Sequence, residues 1–123
     1  MKLADYFENH NGIGVLSTAN KDGKVNGALY ARPHIQDNKA IFLAAPNNTL
    51  QNLKENIFAH YLFKQEGQGY EGVRLQLQLL KIDQDQDRAD KLRRKHKDKE
   101  NYAYILEFEI IEAHDLIGRE KIS

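Results

Sequence analysis

Between residues 12 and 49 the chain reads GIGVLSTANKDGKVNGALYARPHIQDNKAIFLAAPNNT, three β-compatible runs in quick succession joined by two turn sequences. Gly14 to Ala19, Val25 to Ile35 and Ala40 to Ala45 are rich in β-branched, aromatic and small residues. The segments between them, Asn20-Lys21-Asp22-Gly23-Lys24 and Gln36-Asp37-Asn38-Lys39, carry the Asn, Asp and Gly that tight hairpins need for positive φ. Two hairpins in series make a meander, so this third of the chain is expected to be antiparallel sheet. On the middle strand the period of two places Val25, Gly27, Leu29, Ala31, Pro33 and Ile35 on one face, expected to be core. Asn26, Ala28, Tyr30, Arg32 and His34 fall on the other, which gathers an aromatic ring, a guanidinium and an imidazole. After the third strand, Ala44-Ala45-Pro46-Asn47-Asn48-Thr49 leads into a helical pattern over Leu50 to Asn56. The first turn of such a helix leaves backbone N–H groups without intrahelical partners, a setting that suits a phosphate.

The rest of the chain extends the same plan. Leu3, Tyr6 and Phe7 stand at helical spacing before the stop at Asn9 to Gly12, predicting a short amphipathic helix across one end of a barrel. Ile57 to Lys64 reads as a strand with Ile57, Ala59, Tyr61 and Phe63 on one side. Val73, Leu75, Leu77 and Leu79 alternate with Arg74, Gln76 and Gln78, and Tyr102, Tyr104, Leu106, Phe108 and Ile110 repeat the pattern against Glu107 and Glu109 on a wet face. About six strands result, the number of a small closed or half-open barrel. With 123 residues and no linker or repeat, residues 1–123 are read as one domain.

Composition narrows the function. Eighteen basic residues against eighteen acidic ones give a formal net charge of zero, which argues against a general polyanion binder. The segment Asp83 to Glu100 concentrates Lys91, Arg93, Arg94, Lys95, Lys97 and Lys99, but acids lead and bases follow, as the macrodipole of a surface helix favours. No nucleic-acid role is read from it. The chain has no cysteine, hence no disulfide and no thiolate chemistry. His10, His34, His60, His96 and His114 are scattered without ligand spacing, and neither Ser17 nor Ser123 lies in a nucleophile elbow. With no long apolar run and no signal-peptide segment, a cytoplasmic protein without a membrane span is expected.

The order Gly14-Val15-Leu16-Ser17-Thr18-Ala19, Asp22-Gly23-Lys24-Val25-Asn26-Gly27-Ala28, Tyr30-Ala31-Arg32-Pro33, Phe42-Leu43-Ala44-Ala45 with Thr49, then Asn52-Leu53-Lys54-Glu55-Asn56 and Tyr70-Glu71-Gly72-Val73-Arg74-Leu75 resembles the FMN-binding split-barrel proteins related to pyridoxamine 5'-phosphate oxidase. The resemblance covers most of the chain and lies in the order of motifs. It implies a mainly β fold, a six-stranded, Greek-key-like split barrel with peripheral helices. It also implies FMN as cofactor, held at the interface of a homodimer, and a flavin-dependent oxidoreductase whose substrate is not specified. The alternative is a split barrel that serves as a binding module, holding flavin without turnover or lacking it.

Residue by residue, Arg32 is the expected phosphate anchor, since a guanidinium meets a phosphate with paired donors, each charge-assisted bond contributing about 1.5–3 kcal/mol. The competing reading makes it a solvated strand residue paired with a carboxylate. Thr49 with the backbone of Leu50 and Gln51 adds a hydroxyl and N–H donors, unless Thr49 is simply an N-cap. Ala44 and Ala45 leave room for the flavin ring, whose edge the resemblance places along them and along Ala28 to Ala31; core filling explains the two alanines equally well. Tyr30 either flanks the ring or packs the dimer interface, and Lys54 either reaches the phosphate or stays in solvent. Leu50, Gln51 and Asn52 stand where many relatives carry a phosphate-binding cation. His114 and Arg119 match the oxidase's C-terminal substrate-binding pattern only loosely, so oxidation of pyridoxamine phosphate itself is not expected.

Overall fold

Two turns set the architecture. In the first, Asn20 Oδ1 accepts from the N–H groups of Asp22 and Lys24, both at 2.9 Å, and Gly23 takes a φ of 84°. In the second, Asp37 takes a φ of 55°, the left-handed conformation that Asp tolerates. They close two hairpins, β1 (Gly12–Ala19) with β2 (Val25–Leu29) and β3 (His34–Gln36) with β4 (Lys39–Ala44). These elements come from a computed structural model that describes residues 2–93, 104–118 and 121–122. The remaining elements are α1 (Leu3–Asn9), α2 (Asn48–Glu55), β5 (Phe58–Gln65), β6 (Gly72–Gln84), α3 (Gln86–Leu92) and β7 (Tyr104–Asp115). The part of the charged segment after Arg93, together with Tyr102, lies outside the described residues.

The seven strands form one antiparallel sheet in the order β2-β1-β5-β6-β7-β4-β3. Its two edges, β2 and β3, are consecutive in sequence. The run read as one strand, Val25 to Ile35, therefore leaves β1 after Leu29 and joins β4 from His34. Pro33 explains why the ladder stops between them: it has no N–H to donate. The connection from Leu29 to His34 spans at most about 17 Å, so the sheet must curl until its edges come within that distance. Counting β2 and β3 as one broken strand recovers the six-stranded split barrel, with a sheet that hydrogen bonds do not close.

Before the break the expected faces are exchanged, whereas after it Pro33 is buried and Ile35 packs against the core as expected. Ala28 packs against the core and Tyr30 is buried, whereas Val25 and Leu29 are 75% and 76% exposed. Elsewhere the alternation holds: Ala59, Tyr61, Phe63, Val73, Leu75, Leu77, Leu106 and Phe108 all point inward. Ile57, expected beside them, is exposed. Rings of Phe7, Phe42, Tyr61, Phe63 and Phe108 meet largely edge to face at the centre. Gln76 pairs with Glu112 while Leu77 pairs with Ile110, and Leu79 pairs with Phe108 while Lys81 pairs with Glu107. Ile111 and Leu80 are thus the extra residues of two β-bulges, both left exposed.

Helices cover the remaining edges. α1 buries Tyr6 and Phe7, and packs near β3; α2 lies against β1 and β2. α3 sets Ala89 against Ile41 and Ile105. Over α3 the expected wet face is not wet, because Glu107 is only 6% exposed, beneath Arg88 and Lys81. No helix among the described residues is long and apolar enough to cross a membrane.

Candidate functional site

The site is best built from the start of α2. Asn47, in extended conformation, is the N-cap: its Oδ1 accepts from Leu50 N at 3.3 Å and its carbonyl from Gln51 N, also at 3.3 Å. The Leu50 and Gln51 donors expected to face a phosphate are thereby committed to Asn47. Those of Asn48 and Thr49 have no partner among the described residues. Thr49 is the second residue of the helix rather than its cap, it is 1% exposed, and its Oγ1 is buried without a hydrogen-bond partner among the described residues. A buried hydroxyl left in this way costs about 1–3 kcal/mol, and a ligand oxygen placed there removes that cost.

Tyr30 reaches the same point from the sheet. Its Oη lies 3.4 Å from Asn47 Nδ2, and its ring packs edge to face on Phe42. Its backbone is fixed twice, through Tyr30 N to the Gly14 carbonyl at 3.0 Å and through the Tyr61 hydroxyl, which donates to the Tyr30 carbonyl at 3.0 Å. α2 is tied to β1 by a bond from Asn52 Nδ2 to Thr18 Oγ1 at 3.1 Å. Asn47 and Tyr61 were not among the expected site residues. The N-cap signature, Asn ahead of an apolar helical pattern, was available for Asn47; nothing local in sequence marks Tyr61.

Arg32 occupies the crossover between β2 and β3. Its Nη1 donates to the carbonyls of Phe7 and His10 at 2.7 Å each, and so clamps the C-terminal end of α1. Cations favour that end of a helix. Ala28, Tyr30, Ala44 and Leu50 share one packed cluster, so Ala44 fills core, while Ala45 is half-buried. Ala31, Gln51 and Lys54 are exposed. Near the C-terminus His114 Nε2 lies 2.8 Å from Glu112 Oε2, and Arg119 lies outside the described residues. A separate cleft, lined by Tyr6, His10, Gln65, Tyr70, Glu71 and Asp115 among others, contains none of the expected site residues. Among the described residues no group of three or more His, Cys, Asp or Glu could hold a metal ion.

The outer face of β2, β1, β5, β6 and β7 is the second feature with functional weight. Register aligns Leu29, Val15, Leu62, Arg74 and His114 in one row, and Gly27, Ser17, His60, Gln76 and Glu112 in the next. The face is apolar at the β2 side, where Ile13, Val25, Leu29 and Leu62 are exposed, and polar at the β7 side. His60 is held below the ordinary imidazole value, first by burial and then by the nearby charges of Arg74 and His114.

No protein-family model matches the chain, and no curated protein does. Solved structures do. An FMN-binding protein from Syntrophomonas wolfei superposes with a TM-score of 0.81 at 19% identity, over 97% of this chain and 86% of the other. HupZ of Group A Streptococcus gives 0.77 at 13% identity, over 98% and 96%. A general stress protein 26-related protein of the pyridoxinephosphate oxidase family from Clostridium acetobutylicum gives 0.70 at 16%, over 96% and 88%. The fold is therefore that of the FMN-binding split barrels, the architecture the sequence led us to expect.

Proposed function

We propose that this chain is an FMN-binding flavoprotein of the pyridoxamine 5'-phosphate oxidase-like class, a cytoplasmic homodimer acting as a flavin-dependent oxidoreductase. The observation that carries the reading is the buried, unpartnered Oγ1 of Thr49 in the first turn of α2, beside the N–H groups of Asn48 and Thr49. We assign the phosphate to that turn, flanked by Tyr30 and Asn47, rather than to Arg32, whose Nη1 already serves two carbonyls. Ala31 and Ala45, the site alanines not filling core, are assigned to the ring. Bound flavin supplies hydride or electron transfer, and the protein supplies binding and orientation. A second copy of the chain is the occupant assigned to the exposed apolar side of the outer face, since Val25, Leu29, Ile13 and Leu62 together form a patch of the kind that marks interfaces.

One observation favours the second reading, a binding module without flavin turnover: the engaged guanidinium of Arg32 and the uncharged run Leu50-Gln51-Asn52 leave the phosphate site without an evident cation. An absorption spectrum before and after adding FMN separates a flavin-binding protein from the cofactor-free form of that module. A flavin band, with quenching of FMN fluorescence and a thermal shift, is expected. A colourless protein that shows neither on titration supports the cofactor-free module.

A further inference from the structure

We infer that Tyr61, passing beneath Gly14, is a positioning residue that makes this site select flavins bearing a phosphate; the inference rests on the flavin reading above. Tyr61 is wholly buried, and its hydroxyl crosses under β1 to donate to the Tyr30 carbonyl at 3.0 Å. Only glycine permits the crossing, because a Cβ at position 14 would lie 1.9 Å from Tyr61 Oη. The same glycine's carbonyl accepts from Tyr30 N at 3.0 Å. Both backbone polar groups of Tyr30 are thus committed at the last rung before the strand breaks.

A backbone pinned on both sides aims the side chain. Tyr30 sets its ring on Phe42 and its Oη 3.4 Å from Asn47 Nδ2. The other end of that same amide, Oδ1, accepts from Leu50 N and fixes the first turn of α2. One line of contacts therefore runs from Gly14 and Tyr61 through Tyr30 and Asn47 to the turn that carries Thr49. It ends at the phosphate position, and of the residues assigned to the ring it meets Ala31 alone, through the Tyr30–Ala31 peptide whose carbonyl Tyr61 holds. Loosening it should affect a ligand first through its phosphate.

FMN and riboflavin differ by that phosphate, so the test compares their dissociation constants, from quenching of flavin fluorescence, for wild type and Tyr61→Phe. Loss of one buried hydrogen bond predicts FMN binding weaker by about five- to tenfold, with riboflavin unchanged within about twofold. A merely structural role would weaken both ligands alike or lower the melting temperature alone. Tyr30→Phe, which removes the hydroxyl at the far end of the same line of contacts, should show the same phosphate-selective loss and serves if Tyr61→Phe does not fold. Wild-type protein that binds FMN while the variants bind it equally well overturns the positioning role and leaves the flavin reading standing. Wild-type protein that binds neither ligand overturns both.

Discussion

At the scale of single residues, Thr49 and Gly14 make opposite demands. Thr49 holds a buried hydroxyl without a protein partner, so Thr49→Val should stabilise the ligand-free protein by up to about 1 kcal/mol in urea unfolding. The same change should weaken FMN by about 1.5 kcal/mol or more, the value of a charge-assisted bond to the phosphate. Loss of stability without ligand would show that Oγ1 is already satisfied. Gly14 has no space to give: a Cβ there meets Tyr61 Oη at 1.9 Å and Cζ at 2.3 Å. Gly14→Ala should therefore cost about 1–3 kcal/mol through overpacking. The cost should shrink in a Tyr61→Phe background, because the two residues share one contact and their effects cannot add.

At the scale of elements, α3 is fastened to the sheet by charge as much as by Ala89. Arg88 Nη1 lies 3.1 Å from Glu107 Oε2 and 2.9 Å from Asp83 Oδ2, and Lys81 Nζ lies 3.2 and 3.3 Å from the same two groups. Burial alone would raise the Glu107 carboxyl, but the hydrogen bonds from Arg88 and Lys81 outweigh it and hold the group below its ordinary 4.5. A carboxyl lowered in the native state contributes stability above its ordinary value, lost as pH falls through the native one. Glu107→Gln should thus cost about 1 kcal/mol at pH 7, measured by urea unfolding, and the difference from wild type should vanish in acid below the native value. The sequence carried most strands and both turns clearly, because alternation and turn chemistry act locally; it placed the start of α2 two residues late, with Thr49 rather than Asn47 as the candidate cap. It sorted residues 25 to 35 into two faces and took the wrong one as core over 25 to 30, because Val25 and Leu29 outweigh Ala28 and Tyr30 in apolarity; past the break Pro33 and Ile35 do lie inward. Glu107 was misread for a related reason, since the helix that covers it is not visible in strand periodicity. Of the candidate site, sequence could name Tyr30 and the turn around Thr49 but not that Asn47 takes the Leu50 and Gln51 donors; the partners of Arg32 and the path of Tyr61 depend on contacts between distant elements.

At the scale of the whole molecule, the outer face is the surface on which the proposed assembly is tested. If a second copy covers its apolar side, Leu29→Glu should convert the protein to a monomer in sedimentation while leaving the fold intact by circular dichroism; an unchanged sedimentation coefficient would move the interface elsewhere. His60 sits in the middle of that face, lowered first by burial and then by Arg74 and His114. A histidine lowered in the native state binds fewer protons than the unfolded chain, so stability should decline as pH falls through the ordinary value of 6.5 toward the native one. His60→Gln should flatten the decline between these values in urea unfolding. The broken strand also has a kinetic consequence. Three hairpins form from neighbours in sequence, but the ring is completed by pairing β1 with β5 and β4 with β7, whose residues lie far apart along the chain. Such non-local pairings slow folding by the entropy of loop closure. The crossover at Tyr30 to Pro33 tethers the first two hairpins, so a nucleus built on either one carries the opposite edge of the sheet with it. Lengthening that crossover with inserted glycines would leave every ladder in place, yet stopped-flow refolding should slow while the unfolding rate changes little.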